Sequence, residues 1–296
     1  MALAQFAGRE RLDIAARAAL LAGALQSSGS AAMEVIFGAG LMAPDDSSSP
    51  QLVPVALVNS EKVDHPRGQT SLSEVGQALQ IANNALGLDA NSWLEGVRAW
   101  VMPPPSLRLS PGDRISSPAI GKIGCAASWT GGSGFLTAGH VAQAYGKDVY
   151  VGGSHVGTVA YANDPRNGGT AIEADIGIVE YANGAFISPP PRLSGTALAS
   201  PSSSVTVHAR AGASAAIMGY CSYIYLPSIN GTLGDTYFTT KDVTSGGDSG
   251  SATSAQNSVV GIVVAGSAGF TTYIQDIHYL LAQSGPQASG LKGLFV

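Results

Sequence analysis

The sequence predicts a mainly β protein preceded by a small α/β segment, and three observations carry that expectation. Charged residues are 12% of the 296 and hydrophobic residues 45%, against about 25% charged in an average chain, so the chain is neither a solvated tail nor a coiled coil. From Ala119 onward, short runs of Val, Ile, Ala, Thr and Tyr recur between Gly, Asn, Asp and Pro, the texture of an all-β barrel or sandwich. Before them, Pro103, Pro104, Pro105 and Pro111 mark a semi-rigid connector.

Taken in order, residues 9–26 read as a helix, because Ile14, Ala18, Leu21 and Leu25 recur on one face while Glu10, Asp13 and Arg17 lie on another. The apolar run 18–25 has eight residues, far short of the roughly 20 that cross a bilayer. Glu10 and Asp13, mixed with arginines before it, are unlike the positive start of a secretory signal, so cytoplasm is favoured over secretion while the compartment stays open. Residues 45–50 form a Ser/Pro loop, and 52–58 a β-like run that Pro54 assigns to a strand start or a sheet edge. Ser71 and Glu74 make a capping box for a second helix with Leu72, Val75, Leu79 and Ala82 on one face and Gly87 as its stop. Residues 1–102 are thus expected as an α/β accessory domain without chemistry, a surface for a protein partner, joined by the connector 103–112. Strands are then expected near 148–151, 158–161, 175–181, 205–209 and 259–264, followed by a closing helix over 274–282 and a tail, 286–296.

The net charge is −5 and no basic run occurs, which disfavours nucleic acid and anionic membrane as partners. Cys125 and Cys221 allow at most one internal disulfide. His65, His155, His208 and His278 lack metal-site spacing, no phosphate-binding loop or dinucleotide fingerprint appears, and Trp93, Trp100 and Trp129 read as core aromatics. No metal or organic cofactor is expected.

Three segments carry chemistry. In Ser245-Gly246-Gly247-Asp248-Ser249-Gly250-Ser251 the glycines flanking Ser249 permit a tight turn that exposes its hydroxyl and frees nearby N–H groups. Gly134-Phe135-Leu136-Thr137-Ala138-Gly139-His140 places an imidazole after an apolar strand and a small-residue turn. Asp175, at the mouth of an apolar run, is preferred as its partner over Asp148, only eight residues beyond His140, and over Asp164, in a solvated Asn-Asp-Pro turn. A hydroxyl needs a base at neutral pH, and the base needs an acceptor that fixes its tautomer. Ser249, His140 and Asp175 can fill those roles.

Thr137-Ala138-Gly139-His140, Asp175-Ile176-Gly177-Ile178 and Gly247-Asp248-Ser249-Gly250, spaced 35 and 74 residues apart, resemble the three motifs of the chymotrypsin/trypsin-fold serine proteases, in that family's order and in the style of compact bacterial members. The resemblance covers about 110–285. It implies a two-barrel trypsin-like domain over 113–285 that hydrolyses protein or peptide substrates through an acyl-enzyme. It makes Ser249 the nucleophile, His140 the acid/base, Asp175 its orienting partner, and the N–H groups of Gly247 and Ser249 the oxyanion hole. Asp248 would be structural, paired with an internal arginine, Arg192 or Arg210. The substrate pocket would be lined by Val243 and Thr244 on one side and Val264, Ala265 and Gly266 on the other, with Asp242 turned away by alternation. Small to medium apolar side chains should fit it.

Departures from the pattern also carry expectations. Val141 follows His140, so the bridge many relatives build from a cysteine fifteen residues before it is absent, and Cys125 should be a small buried hydrophobe. Ser251 replaces a frequent glycine. Val264 stands where relatives place a serine on the aspartate, which costs Asp175 one hydrogen bond. The competing reading is a non-catalytic protein-binding module on the same fold. An esterase of unrelated fold is disfavoured, because Gly-x-Ser-x-Gly is broken at Ser251 and the order of Ser, acid and His is wrong for it.

Overall fold

The computed structural model describes residues 12–43, 52–86, 96–107, 121–151, 153–182, 193, 195–209 and 213–296. The chain is mainly β and arranged in two sheets. Its N-terminal segment contains α1 (Leu12–Ser27), α2 (Ser30–Val35), β1 (Ile36–Met42), β2 (Val53–Asn59), β3 (Gly68–Ser71), α3 (Gly76–Leu86) and β4 (Arg98–Met102). The periodic face expected of α1 is the one it buries, through Ala15, Ala18, Leu21, Ala22 and Leu25.

One local expectation shifts here and another narrows. The Ser71/Glu74 capping box is present, but it caps a 3-10 turn, Leu72–Glu74. Val75 then leaves the helical region at φ −101°, ψ 73°, so α3 begins only at Gly76, and Gly87 lies outside the described residues. β2 lies between β1 and β4, and of the two places expected for Pro54 the strand start is the one it takes, second in Val53–Asn59. Pro54 is tolerated because the parallel pairing with β4 starts one residue later, at Val55, so the N–H that Pro54 lacks is not needed for that ladder.

The rest of the chain supplies β5 (Ser106–Leu107), β6 (Ala126–Trp129), β7 (Gly132–Thr137), α4 (Gly139–Ala142), β8 (Asp148–Val151), β9 (Ser154–Asn163), β10 (Ile172–Glu173) and β11 (Ile176–Tyr181). After these come β12 (Ser204–Val207), β13 (Ala213–Leu226), β14 (Gly231–Thr239), β15 (Ala252–Ala255), β16 (Ser258–Ser267), β17 (Thr271–Asp276), α5 (Ile277–Leu281) and α6 (Ser284–Ala288). The expected closing helix is half strand: Ile274 belongs to β17, and the helix starts only where Asp276 caps it by accepting from the Tyr279 N–H.

One sheet is five-stranded and antiparallel, in the order β6-β7-β11-β9-β8. In the other, β13, β14, β17, β16, β15 and β12 pair in sequence and β12 pairs back to β13, so six strands close a ring. β13 is long enough to serve two structures. Ala213–Ala216 hold β12, and further along the same strand Gly219–Ile224 hold β1, so β1, β2, β4 and β3 continue the ring as an open wing.

The crossing is tight. A Cβ on Gly40 would lie 1.8 Å from the Tyr220 carbonyl oxygen, and one on Gly219 would lie 2.2 Å from that of Leu41. Trp100 of β4 meets Phe238 of β14 with ring centroids 5.5 Å apart, and Leu57, Val101 and Met102 share a buried cluster with Tyr223, Val264 and Tyr273. The segment expected as an accessory unit therefore shares both sheet and core with the ring. Within the expected connector, Ser106–Leu107 is a strand paired to β16.

Candidate active site

His140 is delivered by the end of β7. Thr137 closes the strand, Ala138 stays extended at φ −72°, ψ 147°, and one helical turn, α4, follows. Gly139 is needed there because a Cβ would sit 1.7 Å from the Asn163 carbonyl oxygen. That close approach to the end of β9 also brings α4 beside the start of β11, where Asp175 waits. The His140 N–H donates to Asp175 Oδ1 at 2.8 Å, and ring Nδ1 lies 2.6 Å from Oδ2. A carboxylate on Nδ1 holds the proton there and leaves Nε2 as the acceptor. Nε2 is buried and bonds to no described residue.

Asp175 is itself anchored between the sheets. Its N–H donates to Gln275 Oε1 at 2.8 Å, and Gln275 Nε2 donates to the carbonyls of Glu173 and Gly234 at 3.0 and 2.9 Å. Both carboxylate oxygens accept from His140, so the serine that Val264 replaces is not required to orient this pair. Asn163 adds a bond from Nδ2 to the Ala174 carbonyl at 2.8 Å.

The Ser249 loop folds on itself. Asp248 Oδ2 accepts from the Ser245 N–H and hydroxyl at 2.9 and 3.0 Å, and the Asp248 N–H donates to the Ser245 carbonyl at 3.1 Å. Gly247 and Gly250 take φ of +83° and +87°, values that glycine adopts without strain. The loop is pressed onto the end of β7: a Cβ on Gly250 would lie 2.3 Å from Thr137 Oγ1 and 3.2 Å from the Ala138 nitrogen. Lys122 staples the two together, its N–H donating to the Ser249 carbonyl and its own carbonyl accepting from Thr137 Oγ1, both at 2.8 Å. Ser249 is thus held beside the turn that carries His140, and His140 is 1% exposed while Asp175 and Ser249 are fully buried.

The competing carboxylates lie elsewhere. Asp148 is on β8, bonded by Thr158 at 3.3 Å and 3.4 Å from His155. Asp164 binds Arg166, whose Nε donates at 2.7 Å. Arg192 and Arg210, the expected partners of Asp248, lie outside the described residues. Of the pocket residues, Val243 and Thr244 are half-buried and gather around Thr272, which accepts the Val243 N–H at 3.1 Å. Asp242 Oδ1 accepts from the Thr244 N–H and hydroxyl and from Thr272 Oγ1, at 3.2, 3.1 and 3.1 Å. Val264 and Ala265 are fully buried, against the N-terminal core, and Gly266 pairs with Ser106. Cys125 is free and buried, and burial pushes its thiol up to about 12. Gln275 stands in no motif and acts on a segment a hundred residues away, and Asn163 reads from sequence only as part of a solvated turn, although its Nδ2 bonds Ala174 eleven residues on.

The solved structures similar to this chain include chymotrypsin-like bacterial serine proteases. Thermobifida fusca Protease A is 25% identical, over 60% of this chain and 91% of that one, with a TM-score of 0.46. Cellulomonas bogoriensis chymotrypsin is 24% identical, over 64% and 94%, with a TM-score of 0.44. For Nocardiopsis protease the identity is 22%, the coverage 58% and 90%, and the TM-score 0.45. No family model and no curated protein matches the chain.

Proposed function

We propose that the chain is a serine endopeptidase working through Ser249, His140 and Asp175. The observation that carries this reading is the 2.6 Å contact of His140 Nδ1 with Asp175, which leaves Nε2 without a described partner beside the loop of Ser249. In the reaction Nε2 takes the Ser249 proton as Oγ bonds to the scissile carbonyl carbon, and the N–H groups of Gly247 and Ser249 bind the oxygen that becomes negative. His140 then returns the proton to the leaving amine as the C–N bond breaks; water, deprotonated by the same nitrogen, attacks the acyl carbon, and the C–Oγ bond breaks as that proton passes back to Ser249 Oγ. Asp175 stabilises the imidazolium in both halves. The side chain before the cleaved bond lies by Val243 and Thr244 and is small to medium and apolar, the Asp242 carboxylate beside them being taken up by Thr244 and Thr272.

Labelling with a fluorophosphonate probe tests the reading. The intact protein should be labelled at Ser249, and Ser249→Ala should lose labelling and peptide hydrolysis by a factor on the order of 10⁴ or more. Hydrolysis unchanged in Ser249→Ala would overturn it. The burial of Ser249 favours a second reading, a non-catalytic protein-binding module, for which neither form is labelled.

A further inference from the structure

The second half of β16 has β17 on one side, but β15 ends its pairing at Ile262. The other edge at Ala265 and Gly266 is filled by the chain itself: Leu107 pairs with Ala265 and Ser106 with Gly266, antiparallel. Ser267 Oγ donates to the Pro103 carbonyl at 2.7 Å, extending the contact along the strand. An open sheet edge is what an extended peptide uses to bind by backbone pairing. This edge leads to the candidate nucleophile, since Val263, two residues before Ala265, accepts the Gly250 N–H at 2.9 Å. The direction also fits: passing from Ser106 to Leu107 runs from Gly266 to Ala265, towards Val263 and Ser249. Three successive prolines, Pro103 to Pro105, pre-set an extended backbone and lower the entropy cost of lying on the edge.

We propose that residues 103–107 are a built-in competitor for the peptide edge of β16, laid down in the orientation of a substrate and holding the site closed. This rests on the serine endopeptidase reading. It agrees with the complete burial of Ser249 and the 1% exposure of His140, the two groups that a substrate has to reach. The occupant is the chain's own extended segment, and activation is its displacement from β16.

The experiment uses the full chain. In an antiparallel pair one of two neighbouring residues exchanges both backbone bonds with its partner, so the double variant S106P/L107P removes the pairing whichever it is, while Ser267→Ala removes only the side-chain bond. Hydrolysis of an N-acylated tetrapeptide nitroanilide should rise about ten-fold in kcat/KM for S106P/L107P and about three-fold for Ser267→Ala, through a lower KM. A synthetic peptide of sequence 102–107 should inhibit either variant competitively. Fluorophosphonate labelling of Ser249 is measured in parallel. Labelling without any rise in either variant, or a rise confined to kcat, overturns the competitor and leaves the enzyme reading standing. Absence of labelling in every form overturns both. Should S106P/L107P fail to fold, Ser267→Ala and the peptide decide by the same criteria.

Discussion

Gln275 shows how much one side chain can hold. Its amide satisfies the Asp175 N–H and the carbonyls of Glu173 and Gly234, on the neighbouring strands β10 and β14. Gln275→Ala leaves these buried groups unpaired, at about 1–3 kcal/mol, and frees the segment that positions Asp175. Thermal unfolding should register the loss, and kcat should fall with KM little changed, as expected when a positioning residue acts on the base rather than on the substrate. A drop in stability with kinetics intact would limit Gln275 to the fold. Asp235 offers a pH test. Burial raises its pKa, against the hydrogen bond from Tyr220 and together with the charge of Asp276. With the folded pKa above the unfolded value, its contribution is full below the unfolded pKa and is lost as pH rises through the folded one. Asp235→Asn should therefore flatten the decline of Tm between acid and neutral pH, most of the gain appearing at neutral pH. An unchanged slope would refute that.

At the scale of elements, glycines separate close contact from mere flexibility. Gly40 of β1 faces the Tyr220 carbonyl where a Cβ would lie 1.8 Å away, whereas Gly23 inside α1 has nothing within 4 Å. Gly40→Ala must push β1 off β13 and should cost on the order of 3 kcal/mol. Gly23→Ala should stabilise by about 0.5–1 kcal/mol, the helix-interior difference. Denaturant melts of both variants check the opposite signs. α3 teaches a related lesson: the capping box at Ser71 and Glu74 was legible, yet tertiary packing of Leu72 and Val75 spent it on a 3-10 turn, because a cap satisfies whatever turn follows it.

For the whole molecule, sharing of sheet and core decides how the chain unfolds. β1 is bonded along Gly219–Ile224 of β13, and Trp100, Val101 and Met102 belong to the same cluster as Phe238 and Tyr273. We expect one cooperative thermal transition reported alike by Trp fluorescence and far-ultraviolet circular dichroism. A cut near residues 108–112 should leave the two parts associated through native gel filtration. Two separated transitions would show instead that 1–102 folds as its own domain.

The sequence by itself determined the β texture, the buried face of α1, and the His140, Asp175 and Ser249 motifs, because alternation, helical period and glycine-flanked turns are written within a few residues of one another. Tertiary structure alone decided that Gln275 would anchor a residue a hundred positions away, that β1 would extend the edge of β13, and that residues 106 and 107 would lie on β16. Such contacts depend on which edges remain open once the ring has closed. An unpaired strand edge accepts any extended backbone, so Pro103 to Pro105 announce an extended segment, while the edge that receives it is chosen by where the chain passes.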